Sequence, residues 1–404
     1  MSKKSRTPWQ RLLRFISSFG LASAVLVLFF VLTLFGTLEQ VEHGLYETQK
    51  RYFDSIFIWF NINGVELPLL PGVRLLMWVL FFNMLAAAIL KMRHNWRGIG
   101  LLISHFGILL LLAGGALGYQ FKKYGMMMIW EGDKTSEISS YHDWQLDIMP
   151  VNDEGEVTEA LVISAGQIDR IGSGDVRVFS SDELPFNVVI HGHEKNSMPV
   201  PATAPMSASV KGEEIDGYKL MPMKAAKEAE QNMPGMYVSF ASSGKVAKSK
   251  PEAILWGGDA APYTLEREGK RWAVKLVKEK WQAPFEIRLR DFHFEYFPGT
   301  QRARVYRSDV TKIENGDERD VRISMNKPLR HQGYTFFQSS FGPPGSDDKG
   351  DQRMYTVLAV MKNPADHWPL VSLIVAGLGL LIHFIIQLGN YLFRQRRLQS
   401  KEVG

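Results

Sequence analysis

The chain has 404 residues, of which 46% are apolar and 22% charged, with 47 Lys and Arg against 42 Asp and Glu and no Cys. That length suffices for two or three compact units. The missing thiol excludes disulfides, thiolate catalysis, cysteine-ligated zinc or iron–sulfur centres, and a C-x-x-C-H haem attachment site within the chain.

The mean hydropathy of −0.10 averages two unlike populations, charge-free apolar runs near both ends and a polar stretch between them. Residues 1–18 are a basic N-terminus (Lys3, Lys4, Arg6, Arg11, Arg14) ahead of the first apolar run, 19–38. A signal peptide shares that layout, but this run is too long and Phe35-Gly36-Thr37-Leu38-Glu39 offers no small-x-small cleavage site, so a retained anchor is expected. Residues 39–72 hold Tyr46, Tyr52, Phe53, Phe57, Trp59 and Phe60 among polar residues, the composition of an aromatic loop at a membrane interface. Further apolar runs lie at 73–90, 99–118 and 369–391. Each approaches the roughly 20 residues that cross a bilayer, so four transmembrane helices are expected.

Basic loops stay cytoplasmic, and three segments share that sign: the N-terminus, residues 91–98 (Lys91, Arg93, Arg97) and the tail 392–404 (Arg394, Arg396, Arg397, Lys401). A four-helix topology puts all three on one side. Removing these twelve basic residues and Glu402 from the totals leaves 35 basic against 41 acidic residues. The basic pI therefore comes from membrane-flanking charge and does not argue for nucleic acid.

Residues 119–368 then form a large extracytoplasmic domain. Phe285, Ile287 and Leu289, then Phe292, Phe294 and Tyr296, and later Tyr334, Phe336 and Gln338 recur with period two. Turn residues fall at Pro298-Gly299, Asn315-Gly316, Asn326-Lys327-Pro328 and Gly342-Pro343-Pro344-Gly345. The expected fold class is a membrane protein with four transmembrane α-helices and a mostly antiparallel β domain, a sandwich or a pair of packed sheets. The stretch from Met198 to Lys250 is the least strand-like part and reads as an insertion or a short helix.

An ionisable residue within an apolar helix is a functional candidate by default. His105 and His383 qualify, about 9–11 Å and about 11–13 Å from the cytoplasmic ends of their helices at 1.5 Å per residue, similar depths in the inner leaflet. A neutral imidazole can ligate haem iron through one nitrogen while the other donates to a carbonyl; simple hydrogen bonding to a neighbouring helix competes with that reading at both positions. Gly107, Gly114 and Gly115 thin one face of the third helix, for close packing or for a planar ligand. His191-Gly192-His193 puts two rings on one side of a strand, a poor metal site without further ligands. No hydrolase, P-loop, zincin or dinucleotide fingerprint occurs in a suitable context.

The arrangement resembles the ResB family, also called CcsB, of System II cytochrome c biogenesis. The similarity lies in "GTLEQ" after the first helix, "YFDSIFIWF", "LPGVRLLMWVLFFNMLAAAI", "RGIGLLISHFGILLLLAGG", "ISMNKPLRHQGYTFFQSSF" and "NPADHWPLVSLIVAGLGLLIHF". The resemblance implies a protein of the bacterial inner membrane with its large domain in the periplasm. It would work with a CcsA/ResC-like partner to bind haem in the membrane, export it and support its attachment to apocytochrome c. It also implies that His105 is an axial ligand of transported haem b, paired with a histidine of the partner. His383 maps onto no family motif and stays a second candidate.

On that reading Lys91, Arg93 and Arg97 are placed to hold the haem propionates by charge-assisted bonds. The thiols come from apocytochrome c and are kept reduced, indirectly, by a thioredoxin-like protein. No residue of this chain is expected to be a covalent catalyst, and synthase activity would belong to the complex. The competing expectation is a scaffold that never touches haem, or a module that recruits the apocytochrome.

Overall fold

The computed structural model describes residues 7–62, 65–92, 95–152, 157, 160–242, 250–300, 303–346 and 352–402. The chain divides into two units, Met1–Lys122 with Asn363–Gly404, and Lys123–Lys362.

The first unit is helical. Helix α1 (Pro8–Ile16) opens at Thr7, whose hydroxyl accepts from the Gln10 amide, with Pro8 at the start, where its missing N–H costs nothing. Helix α2 (Phe19–Thr48) begins at the Ser18 cap and continues beyond the expected end at Leu38. Its direction changes at Gly44 (φ 79°, ψ 168°), a conformation that glycine adopts without a Cβ penalty. A π-helical turn, Gln49–Phe53, follows. Arg51 pairs with Glu39 at 2.5 Å, and Phe53 lies against Gly36, where a Cβ would come within 3.1 Å of the ring. These contacts return the segment onto α2, so the part of the expected interfacial loop before Asp54 is helical. The rest is an antiparallel hairpin of β1 (Phe57–Ile62) and β2 (Val65–Pro71), with Ile58 buried and Phe57, Trp59, Leu67 and Leu69 exposed.

Helices α3 (Val73–Leu90) and α4 (Ile99–Phe121) follow. After the second unit, which contains the short helix α5 (Ala165–Ile168), α6 (Trp368–Glu402) completes the helical unit. Four stretches, Phe19–Phe53, Val73–Leu90, Trp96–Phe121 and Trp368–Gln399, are long and apolar enough to cross a membrane, in agreement with the four apolar runs.

The main packing in this unit is α4 against α6. A Cβ at Gly100, Gly107 or Gly114 would come within 2.5 Å of His383 N, 2.5 Å of Ala376 N or 2.7 Å of Trp368 Cβ respectively. Gly379 of α6 makes the reciprocal approach to Ser104. Small residues let the two backbones meet, and the many short contacts then add up by dispersion. Gly107 and Gly114 thus serve helix packing, whereas Gly115 faces open space.

The second unit is antiparallel in all its described pairings, as expected. A ten-stranded sheet has the neighbour order Asp317–Ser324, Ala303–Glu314, Lys270–Tyr296, Lys134–Val151, Lys123–Trp130, Gln352–Lys362, Tyr334–Ser346 and Leu329–His331. Tyr263–Arg267 and Leu161–Ile163 pair beside this path. Residues of one end of this sheet (Trp144, Leu146, Trp272) share a core with Val188, Val238 and Phe240 of a four-stranded sheet and with Phe186 just before it. The other end has its own core around Phe285, Ile287, Phe336 and Leu358.

The three-residue step from Leu289 to Phe292 in the alternating pattern is a β-bulge, with the register slipping between Leu289 and Asp291. Asn315 (φ 50°) and Gly316 (φ 88°) make the expected two-residue turn, both at positive φ. Gly342–Gly345, expected as a turn, is instead an irregularity inside the strand Tyr334–Ser346. The Met198–Lys250 stretch holds a hairpin (Ser197–Pro201 with Tyr218–Pro222) and the strand Gly235–Ala241, while 243–249 lie outside the described residues.

Candidate functional site

His105 lies half-buried in the second turn of α4. Its Nδ1 is 2.9 Å from the carbonyl oxygen of Leu101, one turn earlier. A carbonyl only accepts, so this contact requires the proton on Nδ1 and leaves the Nε2 lone pair unprotonated in the neutral ring. That tautomer is the one in which imidazole binds a metal through Nε2, with the other nitrogen fixing the ring orientation. Among the described residues, no hydrogen bond to Nε2 is found.

His383 belongs to the α4–α6 seam, with its backbone opposite Gly100. Its Nδ1 is buried and has no hydrogen-bond partner among the described residues. The same register sets Gly379 against Ser104, so His105 is level with the residue that precedes Gly379. His383 is therefore displaced about 7 Å along the helix axis at 1.5 Å per residue. Counting from the helix ends gives the two histidines nearly equal depth; the packing register separates them by more than one turn.

The basic residues expected below His105 divide. Lys91, at the end of α3, donates through Nζ to the carbonyl of Ser17 at 2.6 Å. Nearby, Asn83 of α3 is buried and donates to the carbonyls of Ile16 (2.5 Å) and Ser18 (2.9 Å). Together they bond the carbonyls of Ile16 and Ser17 where α1 breaks into α2, and that of Ser18, which also accepts from the Ala22 amide. Arg97 sits exposed in the 3₁₀ turn Trp96–Gly98 that leads into α4. It precedes His105 by about 12 Å of helix rise. Arg93 lies outside the described residues.

In the sheet unit, Gly192 (φ 83°) is an extra residue: Tyr237 pairs with His191 and Met236 with His193. This bulge breaks the alternation that would set both rings on one side. His191 contacts Ser239 Oγ through Nε2 at 2.8 Å, whereas His193 is buried with Nε2 unpartnered among the described residues. Burial, reinforced by the Lys195 charge and opposed by a backbone hydrogen bond at Ile171, pushes the His193 pKa down to about 4. No group of three potential metal ligands occurs among the described residues.

Gln338, from the "GYTFFQSS" stretch, belongs to a buried network. Ser308 Oγ lies 2.7 Å from Gln338 Oε1 and 2.9 Å from Thr356 Oγ1, and Gln338 Nε2 donates to Thr356 Oγ1 at 2.8 Å. It joins three strands from inside the core.

Two features escape the reading of the apolar runs, although Arg74, ionisable and inside the run 73–90, carries the same signal as the histidines. Asn83 is uncharged and so carries no such signal. Arg74 and Tyr119 are 45 positions apart, yet the guanidinium lies 4.6 Å from the ring centroid and 3.4 Å from the hydroxyl. Only the packing of α3 beside α4 brings them together.

The ResB-like family model matches residues 267–350. The matched segment runs from the Lys270–Tyr296 strand to the Tyr334–Ser346 strand and includes the "NKPLRHQGYTFFQSS" residues. The resemblance seen in the sequence is borne out there. No curated protein matches the chain.

Proposed function

We propose that the chain is a membrane component of System II cytochrome c biogenesis that binds haem b as cargo during its export. On this reading the four apolar helices span the bacterial inner membrane, with the basic segments in the cytoplasm and the sheet unit in the periplasm. The observation that carries it is the state of His105, an imidazole on an apolar helix whose Nδ1 proton is held by Leu101 and whose Nε2 is left to ligate iron. The match over residues 267–350 supplies the biochemical context.

A CcsA/ResC-like partner provides the second axial histidine. Arg97, with Arg93, receives the propionates from the cytoplasmic side, while Lys91 serves chiefly the α1–α2 joint. Apocytochrome c supplies the thiols for attachment, so this chain binds and orients the haem and is not a covalent catalyst.

The test is a visible spectrum of the chain purified with its partner. We expect a haem band with two-histidine ligation that is lost, or changes ligation, in His105→Ala. A band that keeps its ligation in that variant would reject the assignment.

As a second reading we propose that the sheet unit, which contains the whole family match, recruits apocytochrome c. A chain lacking residues 130–360 that still loads haem but no longer matures cytochrome would support it.

A further inference from the structure

Helix α4 has two thin faces. One, with Gly100, Gly107 and Gly114, closes against α6; the other, with Ala113, Gly115 and Ala116, faces α3 across open space. Opposite stand Met77, Trp78 and Phe81 of α3, which meets α4 far less closely than α6 does. The result is a cavity of about 610 Å³, which Phe29 of α2 also lines. It starts at Leu112, seven residues beyond His105, and His105 does not line it.

Polar groups gather at one end. Arg74, in the first turn of α3, lies over Tyr119 there. The charges of Lys122, Arg74 and Lys50 all act on the half-buried carboxyl of Asp54, although neither lysine lines the cavity. The first turn of α3 also adds backbone N–H groups, because its cap, Gly72, has no side chain to bond them.

We propose that this cavity binds an anionic phospholipid, with an acyl chain between the aromatic side chains of α3 and the small residues of α4 and the phosphate at Arg74. The inference rests on the membrane-spanning reading given above. In that topology Arg74 stands at the outer headgroup level, where a guanidinium at the rim of an interhelical groove pairs with lipid phosphate by charge-assisted hydrogen bonds. The Arg74 guanidinium at the rim matches an anion, and the apolar slot matches a hydrocarbon chain. Among the described residues, no imidazole lines the cavity to hold an iron porphyrin.

The test uses the full chain, reconstituted in bilayer discs of phosphatidylglycerol and phosphatidylethanolamine, then extracted and examined by native mass spectrometry. We expect one retained phosphatidylglycerol per chain, favoured over its share in the discs by about fivefold to tenfold. Arg74→Gln should lower that preference to the bulk ratio, and Arg74→Lys should keep part of it. Gly115→Leu, whose side chain enters open space rather than a backbone, should abolish retention of either lipid. In each variant an unchanged haem band in the presence of the partner would show that the fold and the His105 site persist.

Retention in the bulk ratio by the wild type, or retention unaffected by Gly115→Leu, would overturn the proposal. So would a retained porphyrin displaced by Gly115→Leu, or a disulfide between Gly115→Cys and a partner helix accompanied by loss of the lipid. A chain that washes off membranes at alkaline pH would instead sink the membrane-spanning reading itself.

Discussion

His193 makes the stability of the sheet unit depend on pH. The ring is 7% exposed, and its Nε2 has no hydrogen-bond partner among the described residues. Desolvation comes first among the causes that lower its pKa from 6.5 to about 4. Between these values the unfolded chain binds a proton that the folded chain does not. The contribution is therefore complete above pH 6.5 and is lost as the pH falls towards 4. At about 1.4 kcal/mol per pH unit the loss reaches about 3 kcal/mol, a large share of a domain's stability.

Asp147, Glu194 and Asp259, whose pKa values are raised by burial, act in the opposite direction, so the informative quantity is a difference between variants. His193→Met keeps an apolar, adaptable side chain and removes the proton site. Urea unfolding of the full chain in detergent, followed by tryptophan fluorescence at pH 7.5, 5.5 and 4.5, should show the wild type losing about 2–3 kcal/mol more than the variant. Equal pH slopes for the two proteins would refute the burial argument.

The α4–α6 seam predicts opposite outcomes for two glycines on one helix. Gly107→Ala sets a Cβ against the backbone of Ala376 and should lower the melting temperature of the solubilised chain, whereas Gly115→Ala meets nothing within 4 Å and should leave it level or raise it; equal shifts would refute the seam. For the buried network, Gln338→Leu leaves Thr356 without its amide donor and should cost about 1–3 kcal/mol in urea unfolding. Adding Ser308→Ala and Thr356→Val should recover much of that, because removing all the polar partners of a buried network is nearly neutral; a triple variant less stable than the single one would argue against the network.

The four apolar runs and the alternating strands of 285–296 and 334–338 are written locally, in the hydropathy of neighbouring residues, and the helices and antiparallel sheet follow them closely. His105 is legible for the same reason, since an imidazole within an apolar run stands out whatever surrounds it. Tertiary structure decided the rest, because each remaining feature depends on which surface meets which. The turn at Gly44 carries Phe53 back onto Gly36, so a segment that reads as a loop becomes helical. The glycines of α4 could face any neighbour, and only shape complementarity with α6 assigns Gly107 to packing and leaves Gly115 open. That same register offsets His383 from His105. One extra residue at Gly192 undoes a face-sharing pair of histidines, and the side chain of Lys91, 74 positions away in sequence, is taken by the carbonyl of Ser17. Periodicity specifies what a residue prefers to touch, and packing specifies what it touches.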